Sequence, residues 1–432
     1  MRNLTSRWAL TAMLWTGACG TFSPAIAGED FPCPHGIYVL DSMVGTTNIN
    51  GVSMRDANIR TNDFVTGYAL RGDWSTMEPM QDHFDFTLID WTVRRLASRG
   101  LKLSFLFMNT DPAWIAQTPG VTTWYDSSAG RNRAVPWDAF LLTRLDVFLH
   151  ALAEHTIDGV KFKDHPVLAV LNAGLAGANL AIRDPASVPM RSMTGYSRTN
   201  LTDAVLRNLR TAVTNFPAQF VQAGFWPVTD TKSNPTLWEA LRQSILAEFN
   251  GVTRPRVGFW MENLSASRPT PGQDPVTGKP ITSFGGPLYL SQPNTWANFQ
   301  ALTSWRQPFN NYNSSVTNAT PADGMLYANS TYGSTYFELY VADIDYSGYR
   351  ADFEMWRARL FPPNQVSIAL VNPGGLHLQW PSWPGGHYQV VRSSDLRTWT
   401  NAGTAVVATT NLTTWAESQS PIKQFYRLRT LP

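Results

Sequence analysis

Residues 65–108 switch between two hydrophobic periods and read as one strand, helix and strand. The run 65–70 is apolar and strand-like and Arg71-Gly72-Asp73-Trp74 closes it, 85–99 places Leu88, Ile89, Val93 and Leu96 near helical spacing, and Gly100 closes that helix. The following LKLSFLF reads as a buried parallel strand. Strand-like segments recur at 36–42, 65–71, 101–108, 167–174, 220–228, 256–264, 296–304 and 335–344, with helix-length stretches such as 139–154, 200–215 and 237–249 between them. Eight strands separated this way predict an α/β fold, a (β/α)8 TIM barrel over 28–361. The Pro- and Gly-containing stretch 268–286 reads as a long loop over its mouth.

After Phe361-Pro362-Pro363 the pattern changes to short β-prone runs, VSIALV, LHLQW, HYQVVRS, TAVVATT and QFYRLR, separated by turn residues. This predicts a small all-β sandwich over 362–432. At the other end, Arg2 and Arg7 precede an apolar run from Trp8 to Cys19, and Ala25-Ile26-Ala27 is a small-x-small cleavage site. Residues 1–27 therefore read as a secretory signal peptide cut after Ala27, and the mature chain as secreted or periplasmic. A lipid on Cys19 is the alternative, but Thr16-Gly17-Ala18 makes a poor lipobox. No other stretch reaches the roughly 18 uninterrupted apolar residues of a membrane span.

Composition narrows the function. Without the leader, Cys33 is the only cysteine, which rules out an intrachain disulfide and leaves stability to the core. A net charge of +2 gives no argument for nucleic acid, and the seven scattered histidines lack metal-ligand spacing, so neither a metal nor another cofactor is expected. The 17 Trp, 14 Tyr and 22 Phe are many for this length. Flat rings suit the C–H faces of pyranoses, although most such rings serve packing.

In an α/β barrel the chemistry lies at the C-terminal strand ends. The polar and aromatic residues expected there are Asp41 after the first strand, Arg71, Asp73 and Trp74 after the second, and Asn109, Asp111 and Trp114 after the third. Asn172 ends the fourth, Trp226 the fifth, and Trp260, Glu262 and Asn263 the sixth, while the eighth carries Glu338 and Tyr340. Glu338 shares a strand face with Tyr336 and Tyr340, and a carboxylate inside so apolar a segment needs a partner, for which Arg71 is the candidate.

Trp74, Glu78-Pro79 and Phe84-Asp85-Phe86 together resemble clan A glycoside hydrolases, most of all the family 42 β-galactosidases and their uncharacterised bacterial relatives. The C-terminal series Leu376, Trp380, Tyr388, Ser393, Asp395, Trp399 and Phe425 to Arg429 resembles immunoglobulin-like modules of exported bacterial enzymes. The first resemblance implies a carbohydrate ligand, an acid in an Asn-Glu pair ending the fourth strand, and a nucleophilic Glu ending the seventh. Asn172 matches that Asn, but Ala173 stands at the acid position, and no Asp or Glu occurs from Val167 until Asp184. A lost general acid lowers the rate about 10²–10⁴-fold. Glu262 and Glu338 are the remaining candidates for a carboxylate pair, Glu262 fitting the nucleophile if the strand count is off by one. Three readings stay open: a secreted glycoside hydrolase with a rearranged acid, a barrel that binds glycan without cleaving it, and another barrel activity such as a lyase or metal-dependent hydrolase.

Overall fold

The computed structural model describes residues 33–40, 59–108, 111–173, 187–224, 236–250, 256–267, 295–301, 304–305, 319–361, 367–371, 375–382, 387–395, 397–409, 412–417 and 424–430. Eight parallel strands close a barrel: β1 (Gly36–Leu40), β2 (Gly67–Asp73), β3 (Lys102–Met108), β4 (Leu168–Asn172), β5 (Phe220–Gly224), β6 (Val257–Leu264), β7 (Ala297–Ala301) and β8 (Tyr336–Tyr340). The first strand pairs with both β2 and β8, so the sheet has no edge. Helices α1 (Thr87–Ala97), α2 (Ala139–Glu154), α3 (Arg198–Asn215), α4 (Thr236–Phe249), α5 (Pro321–Tyr332) and α6 (Arg350–Leu360) alternate with the strands. This is the expected (β/α)8 barrel, and each of the eight predicted strands overlaps an observed one.

A strand's period of two separates two apolar layers. Tyr38, Leu40, Ala69, Leu106, Val170, Phe220, Trp260, Trp296 and Tyr336 fill the barrel interior. Residues one step along, among them Ile37, Val39, Phe105, Leu171, Val221, Phe259, Phe299 and Phe337, face outward to Val93, Leu145, Leu149 and Leu209 of the helices. Glycine is required where interior rings lie flat against a neighbouring strand. A Cβ on Gly258 would stand 2.0 Å from the Trp296 indole nitrogen, and one on Gly67 2.5 Å from the Tyr38 ring.

Local chemistry sets the helix starts. The Asp138 carboxylate accepts from the Phe140 and Leu141 amides at 2.9 and 3.1 Å, and Ser197 from the Asn200 amide at 2.9 Å, which satisfies first-turn donors of α2 and α3. The last barrel strand stops sooner than its apolar pattern suggests. Instead of continuing to residue 344 it turns helical at Val341, where Asp343 accepts from Ser304 Oγ at 2.8 Å and the Trp305 amide at 2.9 Å. These two bonds tie the turn to the segment that follows β7.

The C-terminal strands form small antiparallel sheets, consistent with a β domain. One contains β9 (Ser367–Val371), β10 (Gly375–Pro381) and β12 (Leu412–Glu417); in the other, β11 (His387–Ser393) pairs with β13 (Phe425–Thr430) and two short strands. Leu376, Leu378 and Trp380 of the first sheet share a core with Tyr388, Val390 and Leu428 of the second. Ser393 and Asp395 build a turn, the Asp395 carboxylate accepting from Ser393 Oγ and from the Arg397 and Thr398 amides. Barrel and β domain meet at Arg357 of α6. Its buried guanidinium donates to Thr66 Oγ1 at 2.7 Å and to the Ser382 carbonyl at 3.1 Å and lies 3.7 Å from the centre of the Phe361 ring. Among the described residues, no helix is long and apolar enough to cross a membrane.

Candidate active site at the C-terminal mouth

The sixth and eighth strands bring their carboxylates into one polar cluster inside the barrel. On β8, alternation turns Tyr336, Glu338 and Tyr340 inward, and the register sets Glu338 beside Tyr38 of β1 and Gln300 of β7. Glu338 is 2 % exposed. Its Oε1 accepts from the Tyr336 hydroxyl at 2.5 Å and from Trp260 Nε1 at 3.2 Å, and Arg71 Nη2 of β2 lies 3.9 Å from its Oε2. The same Arg71 nitrogen donates to Gln300 Oε1.

Burial pushes the Glu338 carboxyl above its ordinary value; Arg71, Tyr336 and Trp260 pull it back, and the charge of Glu262 pushes it further up. Burial also raises Tyr340, against the opposing pull of Arg71. Tyr336 is held well above the usual tyrosine range, first by burial and then by the charge of Glu338. Its hydroxyl therefore stays a donor.

Alternation from Trp260 turns Glu262 to the interior side of β6, where its charge acts on Glu338, and the strand turns irregular beside it. Pairing between β6 and β7 slips between Met261 and Leu264. Trp260 packs inside the barrel, whereas Leu264, which strict alternation would also place inside, packs with the outer core. A slip of this kind is the usual way a strand re-aims a side chain at its end. The strand order also sets the count: Glu262 lies on the sixth barrel strand and Gln300 on the seventh.

The cluster continues toward β4 and β5. Asn298 Nδ2 donates to Gln222 Oε1 at 2.7 Å, and the register places Asn172 beside Gln222 and Leu106. Asn172 is 4 % exposed, and neither end of its carboxamide has a hydrogen-bond partner among the described residues. An amide so placed favours a ligand able both to donate and to accept.

The structure thus gathers Arg71, Asn172, Trp260, Glu262, Glu338 and Tyr340 from the expected set. Asp73 ends β2 at the start of a short helical turn. Three others lie in packing contacts outside the interior. Trp74 begins that turn, packs on Phe148 and donates to Glu78 at 2.9 Å. Trp114 donates to the Glu78 carbonyl and lies under the Arg144 guanidinium, and Asp111 pairs with Arg131 and Arg133. Asp41, Asn109, Trp226 and the side chain of Asn263 lie outside the described residues, as do 1–27 and 268–286. Gln222, Asn298 and Gln300 complete the cluster without having been singled out. Their alternation in QAG and NFQA was a usable signal, but it looks the same for any half-polar strand.

Among the described residues no group of His, Cys, Asp and Glu has the geometry of a metal site. The arrangement offers one arginine as a cation, two carboxylates, of which Glu338 is raised by burial, and carboxamides able to bind hydroxyls in both senses.

No protein-family model and no curated protein matches this chain. Among solved structures, a protein described as a glycoside hydrolase aligns over 91 % of this chain and 92 % of its own at 10 % identity and a TM-score of 0.42. The intracellular xylanase of Thermoanaerobacterium saccharolyticum, solved with xylotriose, aligns over 71 % of this chain and 86 % of its own at 13 % identity and a TM-score of 0.41. The cold-adapted β-galactosidase of Rahnella sp. R3 aligns over 56 % of this chain at 12 % identity and a TM-score of 0.37, and the match spans only 40 % of that enzyme. The assignment of the barrel rests on its own closed strand order.

Proposed function

We propose that this chain is an exported carbohydrate-binding barrel of glycoside hydrolase type that holds glycan at its C-terminal mouth without the usual pair of catalytic carboxylates. One observation carries the reading: β4 ends at Asn172 with Ala173 directly after it, and β7 ends in Gln300-Ala301. The clan A resemblance sets its acid and its nucleophile at these two strand ends, and neither residue is a carboxylate. Arg71, Asn172, Glu262, Glu338 and Tyr340 are the sugar contacts in this proposal, with Asp73 nearby. Trp260 sits beneath them and orients Glu338. Export through residues 1–27, kinship with family 42, and an immunoglobulin-like identity for the C-terminal sheets belong to the same reading and rest on sequence resemblance.

A second reading has one observation in its favour. Glu338 is raised by burial and by the charge of Glu262, and a carboxyl that holds its proton beside a second carboxyl is what a general acid requires. In that case Glu338 would protonate the leaving oxygen and Glu262 would act as base or nucleophile. The purified chain should be titrated calorimetrically with plant and algal oligosaccharides while reducing ends are counted. Saturable binding without turnover is the expected result. Turnover abolished in both Glu338→Gln and Glu262→Gln would establish the hydrolase instead, and absence of both binding and turnover would reject both readings.

A further inference from the structure

We infer that the opposite, N-terminal mouth of the barrel holds a second ligand site, one that takes a small organic carboxylate bearing a hydroxyl group. A cavity of about 90 Å³ opens there, lined by the starts of β1, β3, β4 and β5 and by the 163–166 segment. Its walls are mainly apolar, with Pro34, Leu168, Val170, Phe220 and Phe361 among them, and they surround a few polar groups.

Three of those groups are anchored to one short stretch of chain. Lys102 Nζ donates to the Pro166 carbonyl at 2.8 Å, Gln219 Nε2 donates to the Lys163 carbonyl at 2.7 Å, and His165 Nδ1 accepts from the Val167 amide at 3.3 Å. Each of them keeps one face for a ligand. The ammonium of Lys102 has no carboxylate partner among the described residues, and burial alone pulls its proton affinity down. Lys163 is committed to Glu154, and Asp164, the one carboxylate in the lining, acts on Lys161. A half-buried cation with unused donors attracts an anion.

Burial is the largest influence on His165 and lowers it; the charge of Asp158 pulls it back up and the nearby Lys102 lowers it again, so the net shift favours the neutral imidazole. Because its Nδ1 accepts from a backbone amide, its proton sits on Nε2, a second donor. Gln219 is 5 % exposed, and its Oε1 has no partner among the described residues. A ligand hydroxyl would supply the missing donor. One cation, one neutral donor and one acceptor within apolar walls match a hydroxycarboxylate with a small hydrocarbon body.

The test is calorimetric titration of the full chain with lactate, propionate and lactamide, repeated on Lys102→Met, Lys102→Arg and Gln219→Leu. Lactate should bind saturably and more tightly than propionate, and lactamide should not bind. Lys102→Met should weaken lactate by about tenfold or more, as expected for loss of a charge-assisted bond, while Lys102→Arg retains it. Gln219→Leu should erase the preference for lactate over propionate. Equal binding of lactate and lactamide to the wild-type chain would overturn the proposal even if Lys102→Met failed to fold, and so would the absence of saturable lactate binding. Oligosaccharide binding at the other mouth should be the same with and without lactate, so failure at either site is read separately.

Discussion

Two buried glutamates of this protein are built from the same parts and differ in what they leave unused. Glu78, in the loop after β2, is fully buried; it pairs directly with Arg144 of α2 and accepts from Trp74 Nε1 at 2.9 Å and the Asp82 amide at 3.2 Å. Glu338, inside the barrel, also has an arginine and a tryptophan, but Arg71 stands 3.9 Å away and spends a donor on Gln300. The first carboxylate is saturated and clamps a loop to a helix. The second is short of positive charge, keeps a raised proton affinity and shares its surroundings with Glu262. A buried glutamate stays available for chemistry or binding when its arginine stands off from it, as Arg71 does, instead of contacting it directly, as Arg144 contacts both Glu78 and Asp82.

Removal of each arginine puts that contrast to its hardest test. Arg144→Met removes the directly paired cation of the fully buried Glu78, which should cost about 3–5 kcal/mol, read by chemical denaturation at neutral pH. Arg71→Met should cost less, about 1–3 kcal/mol, because Glu338 escapes by holding its proton. If both variants lose the same stability, the distinction between clamp and site fails.

The pH dependence of stability sharpens it further. Burial raises Glu338 above its ordinary 4.5, so between that value and the raised one the folded chain holds a proton that the unfolded chain has released. Its contribution is therefore most favourable at the acid end of that window and declines as pH rises through it. Glu338→Gln should flatten this slope, by about 1.4 kcal/mol for each pH unit of the window, in melts recorded from pH 4 upward. An unchanged slope would place the titrating group elsewhere.

The smallest stability effect is expected at Asn172. Asn172→Ala removes a carboxamide that makes no bond among the described residues, so stability should change by less than about 1 kcal/mol while oligosaccharide affinity falls. A large loss of stability with unchanged affinity would make Asn172 a structural residue.

How much of this could be read from the chain differs between fold and site. The eight barrel strands were legible because each is a short apolar run, and the glycine and cap residues at the helix ends, Gly100 and Asp138 among them, agree with the runs. Arg71, Asn172 and Glu338 were legible as polar residues at strand ends. Trp74 and Trp114 illustrate the limit. Nothing local says that a tryptophan just past a strand end will fold back onto α2, yet Phe148, Phe140 and Arg144 of that helix provide its packing partners.

Alternation and composition by themselves determined the barrel, its strand count and the inward face of each strand, because the side-chain period of an extended chain is a local property. Only the closed structure decided which inward groups meet. Tyr38, Gln300 and Glu338 become neighbours because β8 pairs with both β1 and β7, strands 300 and 38 residues away in register, and Arg71 divides its donors because barrel closure brings two acceptors within its reach. Such partnerships depend on register across the whole sheet, which no single segment encodes.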